Sequence, residues 1–196
     1  MMPIPTADET RTRILKEAER LFRHYGYSKT TVADIADACG MSSANVYRFF
    51  ASKSQINEAI FDRIISDLEG QLRQIAIADA PASERLTRFI ELIASHTVDI
   101  LVQEKKVHDM VVVAMEEQWG SIERHLQVTA AMIEDIIVSG IASGEFRRQD
   151  AHLAAKCVHC ALACLKHPVV VSQCRNDPNM ASPGQLAAFI LSALKA

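Results

Sequence analysis

No proline falls between Pro5 and Pro81, so nothing in that stretch forces a helix to stop for want of an amide proton. Nowhere does an alternating apolar and polar pattern run between turn residues, which excludes a sheet protein and leaves helices. No uninterrupted apolar run approaches the roughly 18 residues of a membrane span. The opening MMPIPTADETR lacks the apolar stretch of a secretion signal. The expectation is a cytoplasmic chain with no membrane partner. Its 5 cysteines are odd in number, pointing to reduced thiols and away from a disulfide framework. A nucleophile elbow, a phosphate-binding glycine loop and a helical His-Glu-x-x-His are all missing, which argues against an enzyme, and no cofactor is expected. One further absence is local: between Ala38 and Asn57 there is no Asp or Glu.

What is present suits a globular helical protein. Over 196 residues, 49% are hydrophobic, 23% charged and only 6% aromatic, enough for one sizeable core plus a small appended domain. The formal net charge of −3 gives no global basic signal. It is uneven, however, with residues 1 to 65 slightly positive and the remainder acidic.

The acid-free window sits inside the most informative segment, residues 30 to 50, TTVADIADACGMSSANVYRFF. Thr31 with Asp34 three residues on has the spacing of a capping box, and Val32, Ile35, Ala36 and Cys39 follow at helical spacing. Gly40 supplies the permissive backbone needed to leave one helix and enter another steeply. Ser42 is placed to cap the second helix, where Val46 and Phe50 face inward and Ser43, Ala44, Tyr47 and Arg48 are left on an outward stripe. The pattern predicts a helix-turn-helix. Short side chains at Ser43, Ala44 and Asn45 let the backbone approach base edges, Arg48 can donate to guanine or phosphate, and Tyr47 to a phosphate oxygen. Ser52 and Gln55 repeat the capping spacing and put Lys53 in a first helical turn, where phosphate is attracted. In the preceding helix Ile14, Ala18, Leu21, Phe22 and Tyr25 form an apolar face closed by Gly26.

The segment TTVADIADACGMSSANVYRFFASKSQI resembles the signature of the TetR family of bacterial transcriptional regulators: a Thr, an Ile-Ala pair, a Gly-containing turn, Tyr-x-x-Phe, then Lys three residues later. The likeness covers about residues 8 to 60. It implies a cap and phosphate contact at Thr31, base-edge contacts from Ser43, Ala44, Asn45 and Arg48, and phosphate contacts from Tyr47 and Lys53. Ala44 stands where Gly or Pro is frequent in the family, and Phe49 replaces the usual His or Tyr. The fold so implied is all-α. A three-helix DNA-binding domain (residues 1–52) is joined through a long helix, running to about Ile77, to a C-terminal helical ligand-binding and dimerisation domain (53–196). The expected partners are a double-stranded, palindromic DNA operator, a small-molecule effector and a second copy of the chain. Arg48 and Lys53 from two subunits would neutralise four phosphates, giving a salt slope of roughly −3.6.

Beyond Pro81, helical patterns run near 83 to 103, 107 to 117, 119 to 143, 150 to 174, bent at Pro168, and 183 to 195. His96, Met110, Met115, Trp119, His125 and Met132 can line an apolar cavity with a few polar groups, or simply fill a core. Cys157, Cys160, Cys164 and His167 share one helical stripe. Close packing by small residues, zinc or copper ligation, and a redox disulfide all fit that stripe, so a metal- or redox-responsive regulator stays open. His152, His159, Lys156 and Lys166 fall on another face, expected to be a solvated or interface stripe. The last two helices, rich in Ala, Leu, Val and Cys, are the expected dimer contact. The competing function is a helical protein-interaction module without DNA binding.

Overall fold

A computed structural model of the chain describes residues 6–99, 111, 113, 120–167, 170, 171, 173 and 177–195. Met110, Met115 and Trp119, with most of the expected helix near 107 to 117, lie outside the described residues. Nine helices are seen among the described residues: α1 Ala7–Tyr25, α2 Val32–Ala38, α3 Ser43–Tyr47, α4 Lys53–Ala76, α5 Ala82–Thr97, α6 Gly120–Ser143, α7 Ala151–Ala161, α8 Ala163–Lys166 and α9 Pro183–Leu194. No strand occurs among them. The chain divides into two compact units, the first running to Ile64 and the second starting at Ile65, so α4 contributes to both.

In the first unit each short helix is started by its own cap. Thr6 and Glu9 form a capping box at α1, Thr31 and Asp34 another at α2, and the Ser42 side chain accepts the Asn45 amide at α3. Gly40 bridges α2 and α3 at φ 62°, a left-handed conformation in which a side chain would be strained. Ile14, Ala18, Phe22, Ile35, Val46, Ile56 and Ile60 are fully buried and make one core from α1, α2, α3 and the start of α4. Glu19 accepts from Arg23 at 2.9 Å and from Arg63, fastening α4 to α1.

The second unit packs the rest of α4 with α5 to α9 around Leu72, Phe89, Ile90, Ile133, Ile136, Ile137 and Leu162. The apolar residues of α6 make it the one helix, among the described residues, long and apolar enough to cross a membrane. Its hydrophobicity has a nearer use. Ile133, Ile136 and Ile137 fill the core while Glu134 and Asp135 interrupt the run.

The expected single helix over 150 to 174 is not continuous. It breaks at Leu162, ahead of the expected bend at Pro168, where Leu165 bonds back three residues to the Leu162 carbonyl (3.0 Å) and Leu162 itself is fully buried. The Ala161 carbonyl that the tightening strands is taken by Cys164 Sγ at 3.2 Å.

Candidate nucleic-acid interface

The outward stripe of α3 is where the sequence put it. Val46 and Phe50 are buried under the helix, and Ala44, Tyr47 and Arg48 are exposed above it, Tyr47 by 53%. Ser43 and Asn45 are half-buried, and the Asn45 side-chain amide donates to Met41 Sδ at 3.7 Å. Phe50, whose ring carries the Arg11 guanidinium at 4.9 Å, anchors the turn that follows. Thr31 is committed to its cap: its Oγ1 meets the Asp34 carboxylate at 2.7 Å and accepts the Asp34 amide at 3.2 Å. The Thr31 hydroxyl and, after it, the Thr31 backbone amide at 2.7 Å donate to the Asp34 carboxylate and hold it below its ordinary range.

Lys53 corrects the sequence reading. Its ammonium does not stand open in the first turn of α4. It donates to the Tyr27 carbonyl at 2.9 Å and the Thr30 carbonyl at 3.1 Å, and sits 4.2 Å over the Tyr27 ring. Burial pushes its pKa down, and two of three donors are spent on the loop between α1 and α2. Lys53 therefore braces the entry to α2, and at most one donor is left for a phosphate. The Tyr27 and Thr30 carbonyls carry no sequence signal of this role, because any residue has a carbonyl. The Ser52 cap is present, accepting from Gln55, but the Gln55 side chain returns to the Ala51 amide, one residue short of the expected box.

Elsewhere the expected pocket residues divide. Met132 is buried in the core of the second unit. His125 bonds Glu69 at 2.9 Å, and burial outweighs that partner in lowering its pKa. Burial also lowers the pKa of half-buried His96, against the opposing charge of Asp99. Cys157 and Cys160 are exposed and Cys164 half-buried, so close packing in the chain's own core is not their use. No group of three His, Cys, Asp or Glu side chains among the described residues is placed to hold a metal. His152 is exposed and pairs with Glu134 at 2.9 Å, as a solvated face requires. His159 and Lys166 are half-buried, against expectation.

Comparison with known proteins places this geometry. Residues 14–60 match the family model for bacterial regulatory proteins of the tetR family, and residues 82–187 match that of the tetracyclin repressor-like C-terminal domain. The HTH-type transcriptional repressor KstR2 of Rhodococcus jostii is 30% identical over 165 residues, covering 78% of this chain and 79% of the relative. A transcriptional regulator of Cytophaga hutchinsonii shares the fold with a TM-score of 0.70 at 23% identity, over 93% of this chain and 97% of that one. SmeT of Stenotrophomonas maltophilia, solved with triclosan, does so at 0.65 and 18% identity, over 95% and 92%. Two matched models, together spanning most of the chain, and a relative alike along most of its length agree with a helix-turn-helix whose second helix faces outward: the chain belongs to the TetR family of bacterial transcriptional regulators.

Proposed function

We propose that this regulator is a ligand-responsive repressor that binds a palindromic operator as a homodimer in the cytoplasm. The observation that carries the DNA side is the exposed Tyr47–Arg48 pair on a helix whose other face is locked into the first unit's core, within a window free of carboxylates. In this reading residues 1–52 are the DNA-binding domain. Ser43, Ala44, Asn45 and Arg48 meet base edges, Tyr47 meets a phosphate, Thr31, its donors committed to Asp34, caps α2 instead of reaching a phosphate as the resemblance implied, and Lys53 orders the loop beneath them. Residues 53–196 bind the effector and pair the subunits.

The pairing rests on a face of α7 and α9. Leu153 (58% exposed) and Phe189 (72% exposed) are large apolar side chains turned to solvent beside Cys157, along a groove floored by Val158 and Ile190. Exposed apolar area of this kind is costly unless covered, and a second copy covers it with two-fold symmetry. Two recognition helices then reach successive major grooves, with inverted half-sites about one helical turn apart or a multiple of it. The effector binds the DNA-incompetent state more tightly, by about 1–3 kcal/mol for typical coupling.

Selection of bound genomic fragments by the purified protein tests the proposal, and an inverted repeat is the expected product. On that site Arg48→Ala should weaken binding by about 1–3 kcal/mol for each half-site. Because two of the three Lys53 donors are spent on the loop, Arg48 is the main cation of the stripe. Its removal from both subunits should flatten the slope of log affinity against log salt by about 1.8 if it contacts phosphate, and leave the slope unchanged if it reads a base. A variant that binds as the wild type does, with the same sequence preference, would refute the assignment.

A further inference from the structure

Toward the end of the second unit two basic side chains face each other with no acid between them. Lys166 Nζ lies 2.6 Å from His159 Nε2. An ammonium group only donates, so Nε2 must accept, and the imidazole then carries its proton on Nδ1. That Nδ1 is buried and has no hydrogen-bond partner. No carboxylate pairs with Lys166 among the described residues, whereas neighbouring His125 is matched by Glu69. Four elements feed this spot: α4 sends Glu69, α6 His125, α7 His159 and α8 Lys166. They lie near enough that Lys166 and His125 each disfavour a proton on His159, whose pKa is driven to about 4, first by burial and then by those charges. Burial lowers Lys166 to about 8. At neutral pH His159 is therefore uncharged and Lys166 is a cation, half-buried and without a counter-charge among the described residues.

Such a set is expensive as packing and complete only with a partner. A buried charge is tolerated when paired, and a buried N–H when it has an acceptor. Glu69 is matched to His125, and what His159 and Lys166 leave over are donors: the remaining ammonium hydrogens and the Nδ1–H. Nδ1 and Nε2 stand on opposite flanks of the imidazole, so a small anion that meets the ammonium does not also meet the Nδ1–H; the complement to Lys166, held from behind by Nε2, is a group that accepts and carries negative charge, as a carboxylate does.

We propose that Lys166 and His159 form the point at which the second unit recognises the carboxylate of a small acidic effector, an assignment that rests on reading this unit as the effector-binding domain. The first test is thermal unfolding of the full-length protein in sodium acetate, propionate and benzoate. Sodium chloride at equal ionic strength is the salt control and methyl benzoate the uncharged one. At tenfold excess over its dissociation constant a bound acid should raise the midpoint by about 3 °C and saturate, while chloride and the ester do not. Lys166→Met should abolish the rise, and Lys166→Gln serves if the methionine variant folds poorly. The site is overturned if no acid exceeds chloride, if sodium phosphate alone stabilises, or if the variants respond as the wild type does. The second test is release of operator fragments by the most stabilising acid. Stabilisation without release overturns the effector role while leaving the anion site. Release by uncharged compounds, with no response to acids, overturns the anion site while leaving ligand-responsive regulation intact.

Discussion

At the amino end, α1, α2 and α3 are each capped from the residue that precedes them, by Thr6, Thr31 and Ser42. In the second unit α5 begins after Pro81 with no side-chain cap of its own and takes one from Glu145, which accepts the Ala82 amide at 2.7 Å and the Ser83 amide at 3.0 Å from 62 and 63 residues away. Arg85 reaches 9 residues back and 54 residues forward. It is almost fully buried and donates to the Ala76 carbonyl at the end of α4 and to Ser139 Oγ on α6, both at 2.6 Å. The first unit thus secures its helix starts through neighbours in sequence, the second partly through neighbours in space. Local caps do persist in the second unit, from Asp150 at α7 and Ser182 at α9, so the difference is one of degree. A unit secured locally keeps its surface geometry when its surroundings shift, as a reading head must. A unit secured at a distance has joints that a ligand can bias.

Three substitutions sharpen the contrast. The largest effect is expected from Arg85→Met, which keeps the aliphatic stem but leaves the Ala76 carbonyl and Ser139 without their donor. Chemical unfolding should show a loss of about 2–3 kcal/mol, as for buried hydrogen bonds to a charged group. Glu145→Gln comes next, at about 1 kcal/mol for a weakened cap. Its signature is pH dependence. The hydrogen bonds from Ser83 and Ala82 hold the Glu145 carboxyl below its ordinary value of 4.5, the Ser83 amide most of all. A carboxyl depressed in the folded state adds stability above its unfolded pKa and loses it as pH falls through the folded one. The gap between wild type and Glu145→Gln should therefore close as acid titration passes below 4.5. The smallest effect is expected from Ser42→Ala, about 0.5–1 kcal/mol. It would loosen only the start of α3 and so lower operator affinity more visibly than the melting temperature. Equal responses of the two units to these changes would erase the distinction.

The same contrast explains what the sequence disclosed. Thr31, Asp34, Gly40 and Ser42 act over three or four residues, so spacing alone reveals them, and the apolar face of α1 follows from helical periodicity. Lys53 was legible as a cation at a helix start, but not as one already committed, because its partners are backbone carbonyls 23 and 26 residues away. Glu145 and Arg85 bear no local mark at all. The break at Leu162 is equally silent, since Ala, Leu and Cys on either side favour an unbroken helix. The facing of His159 and Lys166 depends on that break: seven residues apart on an ideal helix they would share one stripe two turns apart, too far to touch.

The break has a mechanical meaning. It divides one stretch of sequence into two stiff pieces sharing a hinge at Leu162, with the solvent-facing Leu153 and Cys157 on the leading piece and Lys166 on the trailing one. A tug on the lysine need not be absorbed as strain along a single rod. It can swing the short trailing segment about a pivot anchored in the hydrophobic interior and leave the leading segment in place.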